Sequence, residues 1–200
     1  MSRTTRIPAA EITGVSGAIV KRFSRKRLGD VPEPLGVYWH NRRVLKTFFA
    51  VSSKADKWNA CDGDLKALAH MAAASLIGCT FCLDLGYLMA HKGGPDGLDV
   101  TKAREVPRWR QSDEFTPLER DVMEYAEAMS QTPPTVADEL SARLLDQLGE
   151  SALVELTAFI ALANFVARSN TAFGITAQGF SAACGLPPIA APSTDVFDVA

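Results

Sequence analysis

The stretch from Leu65 to Ile77 is rich in alanine and leucine, contains neither glycine nor proline, and stops at Gly78. Such a segment folds as a helix packed closely on its neighbours, because alanine is the best helix former and its small side chain lets other elements approach. The glycine behind it is a helix stop. No segment of the chain alternates apolar and polar residues, while several repeat apolar residues every three to four positions, so the fold reads as all-α.

Along the chain, the pattern predicts a short N-terminal helix over residues 9–25, a connector from Gly29 to Pro34, and a helix from about Tyr38 to Trp58. In that helix Val44, Leu45, Phe48, Phe49 and Val51 are expected on the inner side. Asp62-Gly63-Asp64 marks a stop and a start, and Gly93-Gly94-Pro95-Asp96-Gly97 reads as a loop. Thr116-Pro117-Leu118-Glu119 is a helix start: a capping threonine, proline at the first helical position and glutamate at the third. That helix is expected to end near Gln131. Thr135 to Leu148, closed by Gly149, and Ser151 to Phe173, closed by Gly174, follow.

Charge narrows the partners. Twenty-one basic against 23 acidic residues in a chain of 200 give no global field for nucleic acid or an anionic membrane. Ile12 to Val20 is broken by glycines and followed by the basic run Lys21 to Arg27, the reverse of a signal peptide's order. The longest apolar runs look shorter than the roughly 20 residues a bilayer span needs. The expectation is a cytoplasmic protein of one domain, with small molecules or copies of itself as partners, and thiols that stay reduced unless they cycle.

Two of the four cysteines stand at Cys79 and Cys82, directly after the glycine stop. Cys79 at a helix N-terminus meets unsatisfied N–H groups and the positive end of the dipole, which favour thiolate. Cys82, nearly one turn on, shares its face and lies slightly deeper, so the two sulfurs can meet. A redox pair divides labour in this way, with an exposed cysteine attacking and a more buried neighbour resolving. Zinc is the second chemistry, but its further ligands would come from Cys61, Cys184, His40, His70 or His91, none of which forms a second spaced pair. Plain packing of two small apolar side chains is the third.

The alanine-rich helix followed by Gly-Cys-x-x-Cys resembles the carboxymuconolactone decarboxylase and alkylhydroperoxidase D family. Val31-Pro32-Glu33-Pro34 with Trp39 to Leu45 upstream, and Thr116 to Arg120, Glu155 to Ala161, Asn164, Arg168, Asn170 and Gly174-Ile175 downstream, extend the resemblance over about residues 31–175. It implies an alkylhydroperoxidase D-like helical bundle over residues 31–183, with an N-terminal helical extension over 1–30 and a poorly ordered tail over 184–200. It also implies homo-oligomers, commonly trimers or hexamers, and a peroxidase chemistry in which the second cysteine attacks the peroxide and the first resolves it. That order reverses the one drawn from helix geometry, and both stand at this stage.

Peroxidase members of the family carry a glutamate twelve residues before the first cysteine, a histidine just before the second and a histidine four after it. Here those positions are Ala67, Phe81 and Gly86. Proton transfer of that kind is worth on the order of 10²–10⁴ in rate. His70, one turn from Ala67 on the same face, is the candidate substitute, and a merely packed histidine is its alternative. Asp84 and His91 fall on the wrong side of the helix and are expected to serve a neighbouring helix and the helix dipole. Asn164 and Arg168 share a face and read as a solvated edge or a pocket lining, whereas Glu155 does not share it.

The leading function is a thiol peroxidase or disulfide oxidoreductase that cycles Cys79 and Cys82 against hydroperoxides, takes electrons from an external dithiol and needs no bound cofactor or metal. The alternatives are a lactone decarboxylase, which needs a histidine and a carboxylate, and a non-catalytic oligomer with a redox-sensing dithiol.

Overall fold

The computed structural model describes residues 5–94 and 97–192, and among the described residues there are helices and no strand. In order they are α1 (Gly14–Leu28), α2 (Glu33–Tyr38), α3 (Arg42–Ala55), α4 (Gly63–Ile77), α5 (Thr80–Gly93) and α6 (Val100–Glu105), then a 3₁₀ segment (Val106–Gln111), α7 (Pro117–Ser130), α8 (Asp138–Phe173) and α9 (Phe180–Ala183).

The alanine-rich helix is the centre. α4 packs against α5, α7 and α8, and Leu68, Ala69, Ala72, Ala73 and Ala74 have no exposed surface. Alanines on several sides of one helix let three others approach its backbone, and Val122, Met123, Leu156 and Ile160 close the same core. Full burial of a side chain such as Leu68 is worth about 2 kcal/mol. A second, smaller cluster of Ile12, Leu35, Trp39 and Leu45 holds the N-terminal elements together. There the Ala10 N–H donates to the Gly36 carbonyl at 3.0 Å. A Cβ on Gly36 would stand 2.7 Å from that of Ala9, so only glycine fits the crossing.

Several boundaries differ from the sequence reading. The first helix begins at Gly14, and its basic residues Arg25, Lys26 and Arg27 occupy the last turn, where cations suit the dipole. The expected helix from Tyr38 to Trp58 is two helices. Asn41 breaks it by accepting the Val44 N–H at 3.2 Å and capping α3. Of the five residues expected on the inner side of α3, only Leu45 is buried and Phe48 is half-buried; Val44, Phe49 and Val51 are exposed, so the inner face is narrower than expected. The sequence reading assigns no element between Gly97 and Thr116; α6, capped by Asp99, and the 3₁₀ segment lie there.

The capping box at Thr116 and Glu119 is formed as expected. α8 spans both helices expected after Pro134, starts at Asp138 and leaves helical geometry at Gly149, whose φ is 76°. By length and composition α8 is apolar enough to cross a membrane, contrary to the short runs expected from the sequence; here its Leu156, Ile160 and Ala167 are core.

Pro95 and Asp96 of the expected loop, and residues 193–200 of the expected tail, lie outside the described residues. Nearer the fold, Leu186 and Ile189 pack on the core, and the Ala190 N–H donates to the Arg104 carbonyl at 3.0 Å.

Candidate functional site

Gly78 ends α4 in the left-handed conformation, φ 79°, and turns the chain so that Cys79 becomes the N-cap of α5. The Cys79 sulfur accepts the Cys82 N–H at 3.3 Å, as an N-cap side chain does. Cys79 and Cys82 form a disulfide, with Cα atoms 5.3 Å apart. The i,i+3 placement is as expected, but the expected difference in exposure is absent: Cys79 is 0% and Cys82 2% exposed. The cover comes from far along the chain. Asn170 on α8 sets its Nδ2 3.6 Å from the Cys82 sulfur. The segment after α8 is fastened over α5, with Thr80 Oγ1 accepting the Ala177 N–H at 3.1 Å and the Asp84 carboxylate accepting the Phe180 and Ser181 N–H groups, both at 2.9 Å. Asp84 therefore serves a neighbouring helix by capping α9.

Asn170 also lines a chamber of about 540 Å³ between α1, α2, α3, α5 and α8. Its walls are apolar, among them Phe23, Leu35, Phe48, Phe81, Leu85 and Val166. Two of the lining residues carry polar atoms that are themselves buried. Asn170 is 2% exposed and its Oδ1 has no partner, and the buried Tyr38 hydroxyl has none either. Burial pushes the Tyr38 phenol above its ordinary pKa, and the nearby Ser169 hydroxyl only eases this; Ser169 spends its own proton on the Phe165 carbonyl at 2.7 Å. Tyr38 is held by Phe173, edge-on at 5.6 Å, and by Phe48 at 5.2 Å.

His70 is elsewhere. It lines a second cavity of about 780 Å³ with Asp64, Lys66, Ala67, Gly86 and Cys61. Neither cysteine of the pair lines that cavity, and among the described residues no hydrogen bond joins His70 to them. Burial lowers the His70 pKa and keeps the ring neutral. The space a histidine at position 86 would need is filled: a Cβ there would stand 2.8 Å from Met71 Cγ, and Met71 is 1% exposed. Gly86→Ala is therefore expected to destabilise the protein by about 1–3 kcal/mol through overpacking. Chemical denaturation checks this.

Beside His70, Lys66 and Glu155 form an ion pair at 2.6 Å, with side chains only 11% and 9% exposed. Lys66 also donates to the Trp58 carbonyl at 2.7 Å, and the other Glu155 oxygen accepts the Ala60 N–H at 2.8 Å. Burial pushes the Cys61 thiol up, with Lys66 opposing, so this cysteine is held as the unreactive thiol.

The remaining zinc candidates are dispersed. Cys184 is exposed, His40 contacts the Pro8 carbonyl at 2.9 Å, and His91 is exposed in the last turn of α5. No group of three metal-ligating side chains occurs among the described residues. Arg168 is exposed and lines an open pocket with Ser130 and Thr132, while Asn164 is half-buried; Asn164 Nδ2 donates to Ser130 Oγ at 2.8 Å and Arg168 to the Ser130 carbonyl, tying α8 to the end of α7.

Sequence reasoning did not identify Tyr38 and Asn170 as site residues. Asn170 had a signal, because it continues the buried seam Leu156, Ile160, Ala163, Ala167 as its one polar member. Tyr38 had none.

A helical bundle with a buried Cys-x-x-Cys at the head of the helix following the central one defines an alkylhydroperoxidase D-like protein. No family model matches the chain. It is 37% identical over 168 residues to the uncharacterized protein YnjA of Escherichia coli (strain K12), covering 82% of this chain and 87% of that one. The chain belongs to the carboxymuconolactone decarboxylase and alkylhydroperoxidase D-like family. Among solved structures it resembles the debrominase Bmp8 in complex with 2,3,4-tribromopyrrole, with TM-score 0.76 and 21% identity over 91% of this chain and 96% of that one. It also resembles an alkylhydroperoxidase AhpD core, an uncharacterized peroxidase-related protein from Ralstonia eutropha JMP134, with TM-score 0.74 and 15% identity over 90% and 96% of the two chains. At these identities the solved structures establish a shared fold.

Proposed function

We propose that the chain is a thiol-dependent reductase that reduces hydroperoxides with the Cys79–Cys82 pair. The observation that carries this reading is the disulfide at the head of α5, with an N–H donor on each sulfur; Asn170, the donor to Cys82, also lines the apolar chamber, whose walls include neither cysteine. An N–H on sulfur steadies a thiolate.

In the reduced protein the Cys82 thiolate attacks the outer peroxide oxygen. The O–O bond breaks, an S–O bond forms, and the alkoxide takes up a proton to leave as alcohol. The Cys79 thiol then attacks the Cys82 sulfenic acid, releasing water and forming the disulfide. An external dithiol returns the two electrons by exchange. Cys82 is assigned the attack in keeping with the order the family resemblance implies, and the Asn170 Nδ2 donor beside its sulfur supports this. The test is hydroperoxide consumption with dithiothreitol as donor, comparing the wild type with the Cys79→Ser/Cys82→Ser double variant. Equal consumption would overturn the reading.

Reductive dehalogenation is a second reading, favoured by the apolar walls of the chamber and by the bromopyrrole complex of Bmp8. The same two thiols would give up two electrons, replacing a carbon–bromine bond by carbon–hydrogen and releasing bromide and a proton.

Self-association belongs to the proposal. Val15, Ile19 and Phe23 on α1 are 82%, 63% and 60% exposed, and Phe49 and Phe165 add to the exposed apolar surface. Patches of this kind mark interfaces. Sedimentation at micromolar concentration is expected to show a trimer or hexamer, and a monomer would remove the proposal.

A further inference from the structure

We propose that the apolar chamber between α1, α2, α3, α5 and α8 binds a free fatty acid, with the hydrocarbon chain inside and the carboxylate at Arg27. This binding is separate from the dithiol chemistry, since neither cysteine is among the residues that line the chamber.

The interior sets the body of the ligand. The chamber holds about 540 Å³, inside the range of about 300–1,000 Å³ common for small-molecule sites. Phe23, Leu35, Phe48, Phe81 and Val166 wall it with carbon, and the Tyr38 hydroxyl and Asn170 Oδ1 are buried rather than presented to it. Water finds few partners on such walls. Each methylene that moves in from water strengthens binding by roughly threefold.

A single charge sets the head. Among the residues that line the chamber Arg27 alone is charged, and it is exposed, so its guanidinium marks the mouth. Among the described residues no carboxylate pairs with it, nor with Lys21, Arg22, Arg25 or Lys26 in the same half of α1. Lys92 brings a further ammonium to this end of the helix by donating to the Arg27 carbonyl. Asp30, the nearest acid in sequence, has one carboxylate oxygen on the Val31 N–H at 2.7 Å. The mouth is positive and the interior apolar, which is the complement of an amphiphile with an anionic head. A guanidinium fork takes a carboxylate through two parallel N–H bonds.

The shape favours one chain over a lipid surface. A basic amphipathic helix that lies on a membrane buries a protruding apolar face in the bilayer. Here Ile19 and Phe23 of α1 share the wall of a cavity with Pro34, Phe48 and Phe49 from other elements, so the apolar surface is concave.

Calorimetry with decanoate and 1-decanol, both below the concentration at which they aggregate, reads head and body separately. Decanoate is expected to bind the wild type at one site per chain, and dodecanoate should bind at least about tenfold tighter than octanoate because it buries four more methylenes. Arg27→Gln should weaken decanoate roughly fivefold, the upper end for one exposed ion pair, and leave 1-decanol within about twofold; the difference should shrink at about 1 M salt. Val166→Phe fills part of the chamber and should weaken both ligands, with a melting curve to show that it folds. Phe23→Ser, at a position 60% exposed, makes the same demand without touching the core. Equal loss of both ligands in Arg27→Gln, or loss of neither, overturns the proposal. So does decanoate binding that appears only on dilution to monomers, which would give the chamber to a second copy of the chain. Co-sedimentation with phosphatidylglycerol vesicles that decanoate does not displace would give this face to a membrane and overturn it as well.

Discussion

Cys82→Ser is expected to abolish dithiol-dependent hydroperoxide reduction, whereas Cys79→Ser is expected to complete one turnover and then stall. The asymmetry follows from the roles. Without the Cys82 sulfur no S–O bond forms, and a serine hydroxyl is not ionised near neutrality. Without Cys79 the sulfenic acid still forms, releasing one equivalent of alcohol per chain, but it waits for a slow external thiol because Cys82 is 2% exposed. Rapid mixing with cumene hydroperoxide and quantification of cumyl alcohol distinguishes the variants. A burst in Cys82→Ser and none in Cys79→Ser would reverse the roles, in favour of the order suggested by the helix N-terminus. His70→Ala, in the same assay, should leave the pH profile unchanged, because His70 lines the other cavity and burial holds it neutral.

Lys66→Met is expected to lower stability by about 3 kcal/mol, the lower end for breaking a buried pair because this one borders an open cavity. In a protein of this length that corresponds to a fall in melting temperature of roughly 6–12 °C. The loss comes from the partner left behind. Glu155 would remain a buried carboxylate with the Ala60 and Cys61 N–H groups as its support. Adding Glu155→Leu to Lys66→Met should therefore recover most of the loss.

The pH dependence has a definite sign. In the wild type, burial pushes the Glu155 pKa up, but the Lys66 ammonium and the two N–H groups outweigh it and hold the carboxyl below its ordinary value of 4.5. A carboxyl depressed on folding contributes stability that is fully present above that value and lost as pH falls through the lower folded one. Lys66→Met removes the ammonium's share of that depression, so the stability it contributes, and its loss in acid, shrink. The gap in melting temperature between the two proteins should narrow below about pH 4.5. A gap constant with pH would show that Lys66 acts by packing alone.

Much of the fold was legible because its signals are local. The Thr116 capping box, the left-handed Gly78 and Gly174, and the i,i+3 spacing of Cys79 and Cys82 each depend on atoms within one or two helical turns. The all-helical class followed from periodicity, and the central place of Leu65 to Ile77 suits its alanines. Local signals also misled. Asn41 has an apolar pattern on both sides, and its capping bond, rather than the pattern, set the boundary between α2 and α3.

The site needed the packed molecule. That both cysteines are buried depends on α8 and the segment after it folding back over α5 from nearly one hundred residues away, as the Thr80 and Asp84 hydrogen bonds record. Helical phase placed His70 one turn from Ala67, as expected, but which cavity that face borders depended on the neighbours of α4. Tyr38 and Asn170 share a chamber because α2 packs near α8, a contact that no spacing encodes. The chain's local chemistry specified helices, caps and a dithiol able to close on itself. Which groups surround that dithiol, and which polar atoms remain without partners beside it, was decided by burial, since burial is a property of surfaces brought together from distant parts of the chain.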